Sequence, residues 1–317
     1  MKDFVTLVFE ATTQIPEGRV STYGDLAKAL GDLAASRTIG KILAENPRPI
    51  VVPCHRVVYS NGEVGWYGGK GKGAERKIDL LRREGVRVSN GVVEDFESVR
   101  FSDFRVTPIL KELREEQERL SRRVISKDDF GTLRFVAGLD VSYSGDLAFA
   151  SMAVYDWDAN DIVERKTARS RADFPYITSY LAFREIPVLA TLVRQRNDTV
   201  YLVDGHGVLH PRGFGIASHI GVAFDVPTVG AAKSLLSGRV ESEDAAESPI
   251  LLKGEVRGCR LGRGGRRLFV STGSRVSLRS AVTVCRRFVD GHAPDPMREA
   301  HRLANEERRA ATEDSDR

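Results

Sequence analysis

Hydrophobic residues are spaced in two different ways along this chain. In the N-terminal third they recur at three- and four-residue steps, as on one face of a short helix. This spacing predicts helices over residues 23–30 and 33–45, separated by the helix-breaking pair Gly31-Asp32. A short apolar run, Ile50-Val51-Val52, precedes Pro53-Cys54 and predicts a buried strand that ends at the cysteine.

Further along, Pro108 opens a predicted helix whose apolar residues continue at helical spacing to Val124. From Leu133 the pattern changes to apolar, β-branched runs bounded by turn residues, which predict strands. The predicted strands are residues 134–141, 148–157, 162–163 and 199–203, the first three joined by turns at 144–146 and 159–161. A three-strand meander followed by alternating helices and strands predicts a mixed sheet covered by helices.

The chain length favours two domains. With 317 residues, the chain is longer than one hydrophobic core usually supports. We place the first domain at residues 1–88, a linker at 89–105, the second domain at 106–302 and a polar tail at 303–317. The linker loses helical periodicity, and the tail is charged and poor in apolar residues, as in a frayed helix or a disordered segment. We therefore expect a two-domain α/β protein.

Charge and cysteine content limit the function classes. The net charge of +4 and the pI of about 9.0 permit a nucleic-acid partner without requiring one. Three widely spaced cysteines without a CxxC pair argue against a disulfide framework or structural zinc, and for a reducing compartment. We find no signal peptide and no apolar run near the roughly 20 residues that span a bilayer. We expect a soluble, cytoplasmic protein with no membrane partner, of undetermined oligomeric state.

The segment Pro53-Cys54-His55-Arg56-Val57 places a thiol beside an imidazole and a guanidinium. Nearby positive charge and a general base both favour the thiolate, which is the nucleophilic form of cysteine. A lone cysteine is more often a small buried hydrophobic residue. A thiol protease is disfavoured, because Cys54 and His55 are chain neighbours that follow two helices in a helix-turn-helix pattern.

Five ordered segments around this motif, between Phe4 and Gly85, resemble the active-site domain of the O6-alkylguanine-DNA alkyltransferases. These segments are residues 19–27, 35–40, 46–47, 64–69 and 80–85. The resemblance implies a winged helix-turn-helix-like domain that binds damaged DNA and turns the modified guanine out of the duplex. It also implies transfer of the O6-alkyl group to Cys54. The product is a thioether, so each molecule should act once.

The resemblance implies a role for each matching residue. His55 would take the proton of Cys54 through a water, and Glu84 would orient the imidazole. Tyr23 would donate a hydrogen bond or proton near the base, and Asn46 would hold the hinge before the nucleophile.

Two further residues would contact DNA, with Arg37 entering the base stack and Tyr67 closing over the base. Related alkyltransferase-like proteins carry Trp in place of the reactive cysteine and only bind DNA. Cys54 favours transfer, and a lesion-binding module without efficient transfer is the alternative.

Three acidic residues of the second domain, Asp140, Glu185 and Asp204, lie in different parts of the sequence. If they converge, they form a hard-oxygen site suited to Mg²⁺ or Mn²⁺, which can assist phosphodiester hydrolysis. Taken singly, an Asp before a turn is usually a cap, and the spacing alone does not establish convergence. The alternative transition-metal cluster would consist of His206, His210 and His219.

The sequence segments around these acidic residues resemble those of the endonuclease V family. The matching segments are residues 136–143, 174–178, 181–185, 202–213, 217–219 and 230–233. The resemblance implies a ribonuclease H-like fold and metal-dependent nicking of DNA on the 3′ side of deaminated bases, chiefly hypoxanthine. Some members of the family cut inosine-containing RNA, so an RNA-directed nuclease stays open as an alternative.

The endonuclease V resemblance also implies roles for individual residues. By this resemblance, the metal ligands would be Asp140, Glu185 and Asp204. Lys233 would contact the scissile phosphate or position a water. The predicted lesion contacts are Gly205 and Gly207, whose backbone amides would approach the base, His210 near the pocket or the metal, and Tyr176 in the strand-separating wedge 175–177.

One departure from the family is Ser274, which stands where Ser-x-Gly-His-Arg would place a histidine. We expect this change to weaken metal affinity or slow cleavage. Together the two halves predict a bifunctional DNA-repair protein that acts on damaged double- or single-stranded DNA.

Overall fold

The computed structural model describes residues 3–69, 73–262, 267–289 and 295–315. The chain divides into two compact units, Met1–Glu115 with Phe174–Thr178, and Glu116–Asp173 with Ser179–Arg317. Both units contain helices and strands. The chain is therefore a two-domain α/β protein, although these divisions fall at different residues from the predicted boundaries.

The first unit is built from short helices and two small pairs of strands. Its helices are α1 (Phe4–Thr13), α2 (Tyr23–Ala29), α3 (Ser36–Ala44), α4 (Glu75–Arg83), α5 (Phe96–Val99) and the first part of α6 (Ile109–Ser121). Its strands are β1 (Ser21–Thr22) and β2 (Val57–Val58), which pair in parallel, and β3 (Val88–Ser89) and β4 (Val92–Val93), which pair antiparallel. Thr22 caps α2 by accepting a hydrogen bond from Asp25 N at 2.9 Å. The predicted helix over 33–45 is a 3₁₀ turn, residues 33–35, followed by α3.

The segment that we predicted as a linker, residues 89–105, belongs to the core of this unit. Val93 is buried, and Phe96 and Val99 pack against the same cluster, which includes Val58 and Leu81. These apolar residues are too few for helical periodicity to reveal them. The segment is therefore part of the first unit and not a free spacer.

The apolar run before the cysteine is a turn, and our prediction of a buried strand is wrong. Ile50 and Val51 are 58% and 69% exposed, and only Val52 is buried. Ile50 has a φ of 77°, a left-handed conformation that β-branched residues rarely adopt. Pro49 and Pro53 flank the run and lack the N–H groups that a strand ladder needs.

The second unit is built on a mixed sheet. Its strands are β5 (Phe135–Ser144), β6 (Leu147–Asp156), β7 (Asp161–Arg171), β8 (Thr199–Val203), β9 (Thr228–Ala232), β10 (Arg239–Val240), β11 (Glu247–Leu252), β12 (Glu255–Leu261) and β13 (Leu268–Ser274). Within the described residues they form one sheet in the order β10-β11-β12-β13-β9-β8-β5-β6-β7. The central strands β5, β8 and β9 are parallel, and the flanking pairs are antiparallel.

Helices cover both faces of this sheet. They are α7 (Leu181–Leu189), α8 (Ile216–Phe224), α9 (Leu278–Val289) and α10 (Pro296–Ser315). Val136 of β5 packs in the cluster that contains residues of α9 and α10, and its neighbour Ala137 packs in the cluster that contains residues of α7 and α8. This alternation is expected for a strand buried on both faces.

A close approach fixes α10 against β5. A Cβ atom added to Gly138 would lie 2.3 Å from the backbone of Pro296, so only glycine fits at this point of the strand. The predicted polar tail is also part of α10, which continues to Ser315. No helix in the described part of the chain is long and apolar enough to cross a membrane.

Candidate functional site

The thiol of Cys54 is held at the wall of an open cavity in the first unit. Cys54 is 8% exposed and opens a 3₁₀ turn over residues 54–56. The side-chain nitrogen of Asn46 donates to the Cys54 sulfur at 3.2 Å and to the Val52 carbonyl at 3.0 Å. The cavity has a volume of about 1150 Å³, and Tyr23, Arg37 and Tyr67 line it together with Cys54. Asn46 therefore ties the sulfur to the turn that carries it.

A charged chain of hydrogen bonds orients His55. Its Nε2 lies 2.8 Å from Glu84 Oε1, and both oxygens of Glu84 accept hydrogen bonds from Arg56 at 2.8 Å. Burial alone would raise the pKa of Glu84, but the hydrogen bonds from Arg56 and His55 lower it. Burial lowers the pKa of His55 against the opposite effect of Glu84, so the imidazole is neutral at pH 7. Its Nδ1 makes no hydrogen bond within the part of the chain that the structure describes, which leaves a proton acceptor.

The tyrosines at this cavity stay protonated. Burial raises the pKa of Tyr23 to about 12, and Tyr59 and Cys54 add to the rise. The Tyr23 and Tyr59 rings pack with centroids 5.7 Å apart. Burial and the proximity of Cys54 also raise the pKa of Tyr67. Both predicted tyrosines can therefore donate a hydrogen bond at neutral pH, and Arg37 lies exposed on α3.

Lys77 is a residue that the sequence analysis missed. It is 1% exposed, and its Nζ donates to the carbonyls of Val57 and Val64 at 2.6 and 2.7 Å. Burial lowers the pKa of Lys77 to about 8, while the proximity of Cys54 opposes that shift. Lys77 lies four residues before the buried Leu81 on α4, so the helical pattern placed a lysine on the core face. A lysine at a core position of the helical pattern was therefore the sequence feature that could have identified Lys77.

Two acidic residues of the second unit are neighbours at one edge of the sheet. β5 and β8 pair in parallel up to Leu139 and Val203, and the next residues are Asp140 and Asp204. β9 pairs in parallel with β8, and Lys233 follows its last residue. The carboxyl ends of parallel strands meet at one edge, so this register brings the three polar residues together.

Each aspartate contacts a nitrogen base. Lys233 Nζ donates to Asp204 Oδ2 at 2.6 Å, and His301 Nδ1 lies 2.9 Å from Asp140 Oδ2. His301 belongs to α10 and was not among our candidates. A single histidine in a highly charged helix gives no periodic or spacing signal, so sequence reasoning had no basis for choosing it.

Helix α10 supports His301 with a further side chain. Asn305 donates to the His301 carbonyl at 2.8 Å, and its side-chain nitrogen lies 3.2 Å from His301 Nε2. Ser142 of β5 donates to Asn305 Oδ1 at 3.3 Å. Helix α10 is therefore connected to the carboxylate edge.

Glu185, on α7, lies close to the same edge. Tyr143 donates a hydrogen bond to Glu185 Oε1 at 3.2 Å. Burial raises the pKa of Glu185 to about 8, and the charges of Asp140 and Asp204 add to the rise while the bond from Tyr143 opposes it. The three predicted carboxylates are thus near enough to influence one another's ionisation.

These carboxylates do not form a ready metal site. Among the residues that the structure describes, no three His, Cys, Asp or Glu side chains are arranged to hold a metal ion. The same holds for the alternative set His206, His210 and His219. The chemistry of the carboxylates nevertheless fits a divalent cation, because they are hard oxygen donors whose mutual repulsion such an ion relieves. Their role as metal ligands stays a prediction.

The glycines that follow Asp204 are required by packing. A Cβ on Gly205 would lie 2.5 Å from the Ile216 side chain, and one on Gly207 would lie 1.9 Å from the Thr272 carbonyl oxygen. His210 is buried, and burial with the nearby Arg212 lowers its pKa to about 3, so its imidazole is neutral. The contacts that we predict between a damaged base and Gly205, Gly207 and His210 stay a prediction.

Tyr176, the predicted wedge residue, is 61% exposed, whereas Ile177 is buried. Its segment, Phe174–Thr178, groups with the first unit and not with the unit that carries the carboxylates. An exposed aromatic side chain is available to stack on a base. Its role as a wedge stays a prediction.

Ser274 lies at the opposite end of its strand from the carboxylate edge. It pairs with Thr228, the first residue of β9, whereas Lys233 follows the last. Five strand residues at about 3.3 Å each separate these positions by roughly 16 Å. Our expectation that Ser274 weakens a metal site is therefore wrong, because the side chain lies too far from the carboxylates.

We expect Ser274→His to destabilise the protein without changing its metal requirement. Ser274 is 2% exposed, and its Cβ lies 2.6 Å from the position that a Cβ on Gly221 would occupy. An imidazole would overpack this site and cost roughly 1–3 kcal/mol. Thermal unfolding and nicking over a series of Mg²⁺ concentrations would measure both effects. A lower Mg²⁺ requirement in a folded variant would contradict this placement.

His219 should make the second unit sensitive to acid. Burial lowers its pKa to about 4, so the unfolded chain binds a proton below about pH 6.5 and the folded chain only near pH 4. This contribution to stability is present above about pH 6.5 and is lost as the pH falls. At about pH 5 the loss is roughly 2 kcal/mol.

We therefore expect His219→Gln to lose less stability than the unaltered protein between about pH 7.5 and about pH 5, by roughly 2 kcal/mol. Urea unfolding of both proteins at the two pH values measures this difference. An equal loss in both proteins would show that His219 is not held neutral.

Comparison with known proteins covers both units. A family model described as Endonuclease V matches residues 118–302, and one described as 6-O-methylguanine DNA methyltransferase, DNA binding domain, matches residues 3–86. The bifunctional methyltransferase/endonuclease of Picrophilus torridus is 34% identical over 299 residues, which cover 94% of this chain and 95% of the relative.

Solved structures resemble the second unit. The crystal structure of endonuclease V from Streptomyces avermitilis matches with a TM-score of 0.58 and 34% identity, covering 64% of this chain and 94% of that one. Endonuclease V of Ciona intestinalis, crystallised with a 24mer DNA that contains an inosine followed by a ribo-adenosine, matches with a TM-score of 0.56 and 29% identity, covering 64% and 98%.

The thiol site and the acidic edge therefore occur in two regions of the chain that each match a DNA-repair family. The relative from Picrophilus torridus extends over nearly the whole length of both regions. The chain belongs to the bifunctional methyltransferase/endonuclease family, with an alkyltransferase region that matches over residues 3–86 and an endonuclease V region that matches over residues 118–302.

Proposed function

We propose that this protein repairs two kinds of damaged base in DNA. The first unit transfers an alkyl group from O6-alkylguanine to Cys54, and the second nicks DNA on the 3′ side of hypoxanthine. The observation that carries the proposal is the ordered series Arg56, Glu84 and His55 beside a thiol that Asn46 holds at a cavity. Because Cys54, Cys259 and Cys285 are all unpaired, we infer action in the reducing cytoplasm.

In the first unit, α2 and α3 act as a winged helix-turn-helix-like module that places Arg37 in the base stack while the damaged guanine enters the cavity. His55 Nδ1, free to accept, takes the Cys54 proton through a water. The thiolate sulfur then bonds to the alkyl carbon as the carbon–O6 bond breaks. The bonding electrons leave with guanine, and Tyr23 donates a hydrogen bond or proton near the departing base.

For the second unit we propose a ribonuclease H-like fold in which Asp140, Glu185 and Asp204 would hold Mg²⁺, with Mn²⁺ as a substitute. When bound, the ion supplies Lewis acidity at the phosphate. Lys233 balances Asp204 and, once released from it, contacts the phosphate of the cut strand.

The inosine-containing DNA bound by the Ciona relative supports deoxyinosine as the substrate. Gly205, Gly207 and His210 bind the base, and the exposed ring of Tyr176 separates the strands.

The test uses the unaltered protein on two DNA duplexes. With O6-methylguanine DNA, intact mass spectrometry should show one methyl group per chain, located on Cys54 by peptide mapping. With deoxyinosine DNA and Mg²⁺, denaturing gels should show one nick on the 3′ side of the lesion. If the protein bound this DNA without forming a methyl adduct, the first unit would be a lesion-binding module that does not transfer the alkyl group. If the protein cut inosine-containing RNA faster than deoxyinosine DNA, the second unit would be an RNA-directed nuclease.

A further inference from the structure

The three carboxylates at the sheet edge have partners of different chemical kinds. Asp204 and Asp140 contact Lys233 and His301. Glu185 accepts its hydrogen bond from the neutral phenol of Tyr143, at 3.2 Å. A phenol hydroxyl that donates to one carboxyl oxygen fixes the direction of the group without forming an ion pair with it.

Tyr143 is itself held by the residue next to Glu185. The guanidinium carbon of Arg184 lies over the Tyr143 ring, 4.2 Å from its centroid, which is the geometry of a cation–π contact. Arg184 and Glu185 are consecutive on α7. The helix therefore contacts the ring face of Tyr143 through Arg184 and accepts the hydrogen bond of its hydroxyl through Glu185. The two contacts restrain the ring at its face and at its tip.

The backbone around Glu185 is less constrained than in an unbroken helix. Pro187, two residues further on, lies inside α7 and has no N–H to donate to the preceding turn. Side-chain contacts therefore have a larger part in fixing this turn. Tyr143 comes three residues after Asp140 on β5, so the same strand supplies one carboxylate and the donor for another.

We propose that Tyr143 is a positioning residue of the nuclease site, whose hydroxyl holds Glu185 in the orientation that binds the divalent cation. The inference rests on the proposed nuclease function. Outer-shell partners of metal ligands typically change metal affinity by about 10- to 100-fold when they are removed.

Tyr143→Phe tests the proposal, because it removes the hydroxyl and keeps the ring under Arg184. Direct titration with Mn²⁺, followed by its electron paramagnetic resonance signal without DNA, should show affinity about 10-fold weaker. The Mg²⁺ concentration for half-maximal nicking should rise by the same factor, while the KM for deoxyinosine DNA at saturating Mg²⁺ stays unchanged.

Tyr201→Phe is the matched control. The Tyr201 hydroxyl donates to the Arg194 carbonyl at 2.6 Å and accepts from the Arg194 N–H at 3.1 Å. Its loss should lower the thermal stability of the protein and leave Mn²⁺ affinity unchanged.

Unchanged Mn²⁺ affinity in Tyr143→Phe would overturn the inference, even if the unaltered protein nicks deoxyinosine DNA. An equal fall in affinity in both variants would also overturn it, since it would indicate general loosening. If the unaltered protein neither binds Mn²⁺ nor nicks, the proposed function itself fails.

Discussion

Cys54→Ser is expected to abolish the methyl adduct and leave nicking of deoxyinosine DNA intact. A serine hydroxyl in this position is far less nucleophilic than a thiolate, so transfer should slow by at least about 1000-fold. The contacts of Asn46, His55 and Glu84 remain available to the serine variant. Intact mass spectrometry after incubation with O6-methylguanine DNA measures the adduct, and a gel assay on the same preparation measures nicking.

Cys259→Ser provides the matched control for this change. It makes the same sulfur-to-oxygen exchange at a buried thiol of the second unit, outside the thiol site. It should leave the methyl adduct at one per chain. An adduct that persists in Cys54→Ser would place the acceptor elsewhere and refute the thiol mechanism.

Asp204→Asn is expected to remove nicking and spare the adduct on Cys54. The change keeps the shape of the side chain but deletes a charge from the acidic edge, and it removes the ion-pair partner of Lys233. Loss of this proposed metal ligand should cost about 4 kcal/mol of transition-state stabilisation, or roughly 1000-fold in rate. Single-turnover nicking at saturating Mg²⁺ measures the effect.

Asp244→Asn makes the same chemical change at an exposed position outside the acidic edge. It should nick at the rate of the unaltered protein. If Asp204→Asn retained more than about a tenth of that rate, Asp204 would not be an essential ligand. Loss of the Cys54 adduct in Asp204→Asn would instead reveal coupling between the two activities.

Periodicity in the sequence located several helices and strands, although it marked only the start of the longest strand, β7. The predicted strand 199–203 coincides with β8, and the helix after Pro108 appears as α6. These elements have enough apolar residues in a fixed order for the pattern to exceed chance. The predicted run 50–52 failed because two flanking prolines outweigh three apolar side chains.

Hydrophobic periodicity could not predict how the candidate site residues are arranged in space. Asp140 and Asp204 become neighbours only because β5 and β8 pair in one particular register. Asp140 lies inside its strand, since β5 continues to Ser144, beyond the predicted end at residue 141, while its pairing with β8 stops at Leu139. His301 reaches Asp140 because α10 packs on β5, a long-range contact that no local pattern encodes. Resemblance supplied Glu84 and Glu185, whose partners the structure identifies.

The long stretch of chain between the thiol unit and His301 separates the completion of the two sites in time during synthesis. The thiol unit is largely complete once about the first third of the chain has left the ribosome. The contacts at the acidic edge must wait for α10, roughly 190 residues later, which takes about 10–40 s at 5–20 residues per second. A nascent chain could therefore accept an alkyl group before it is able to cut DNA.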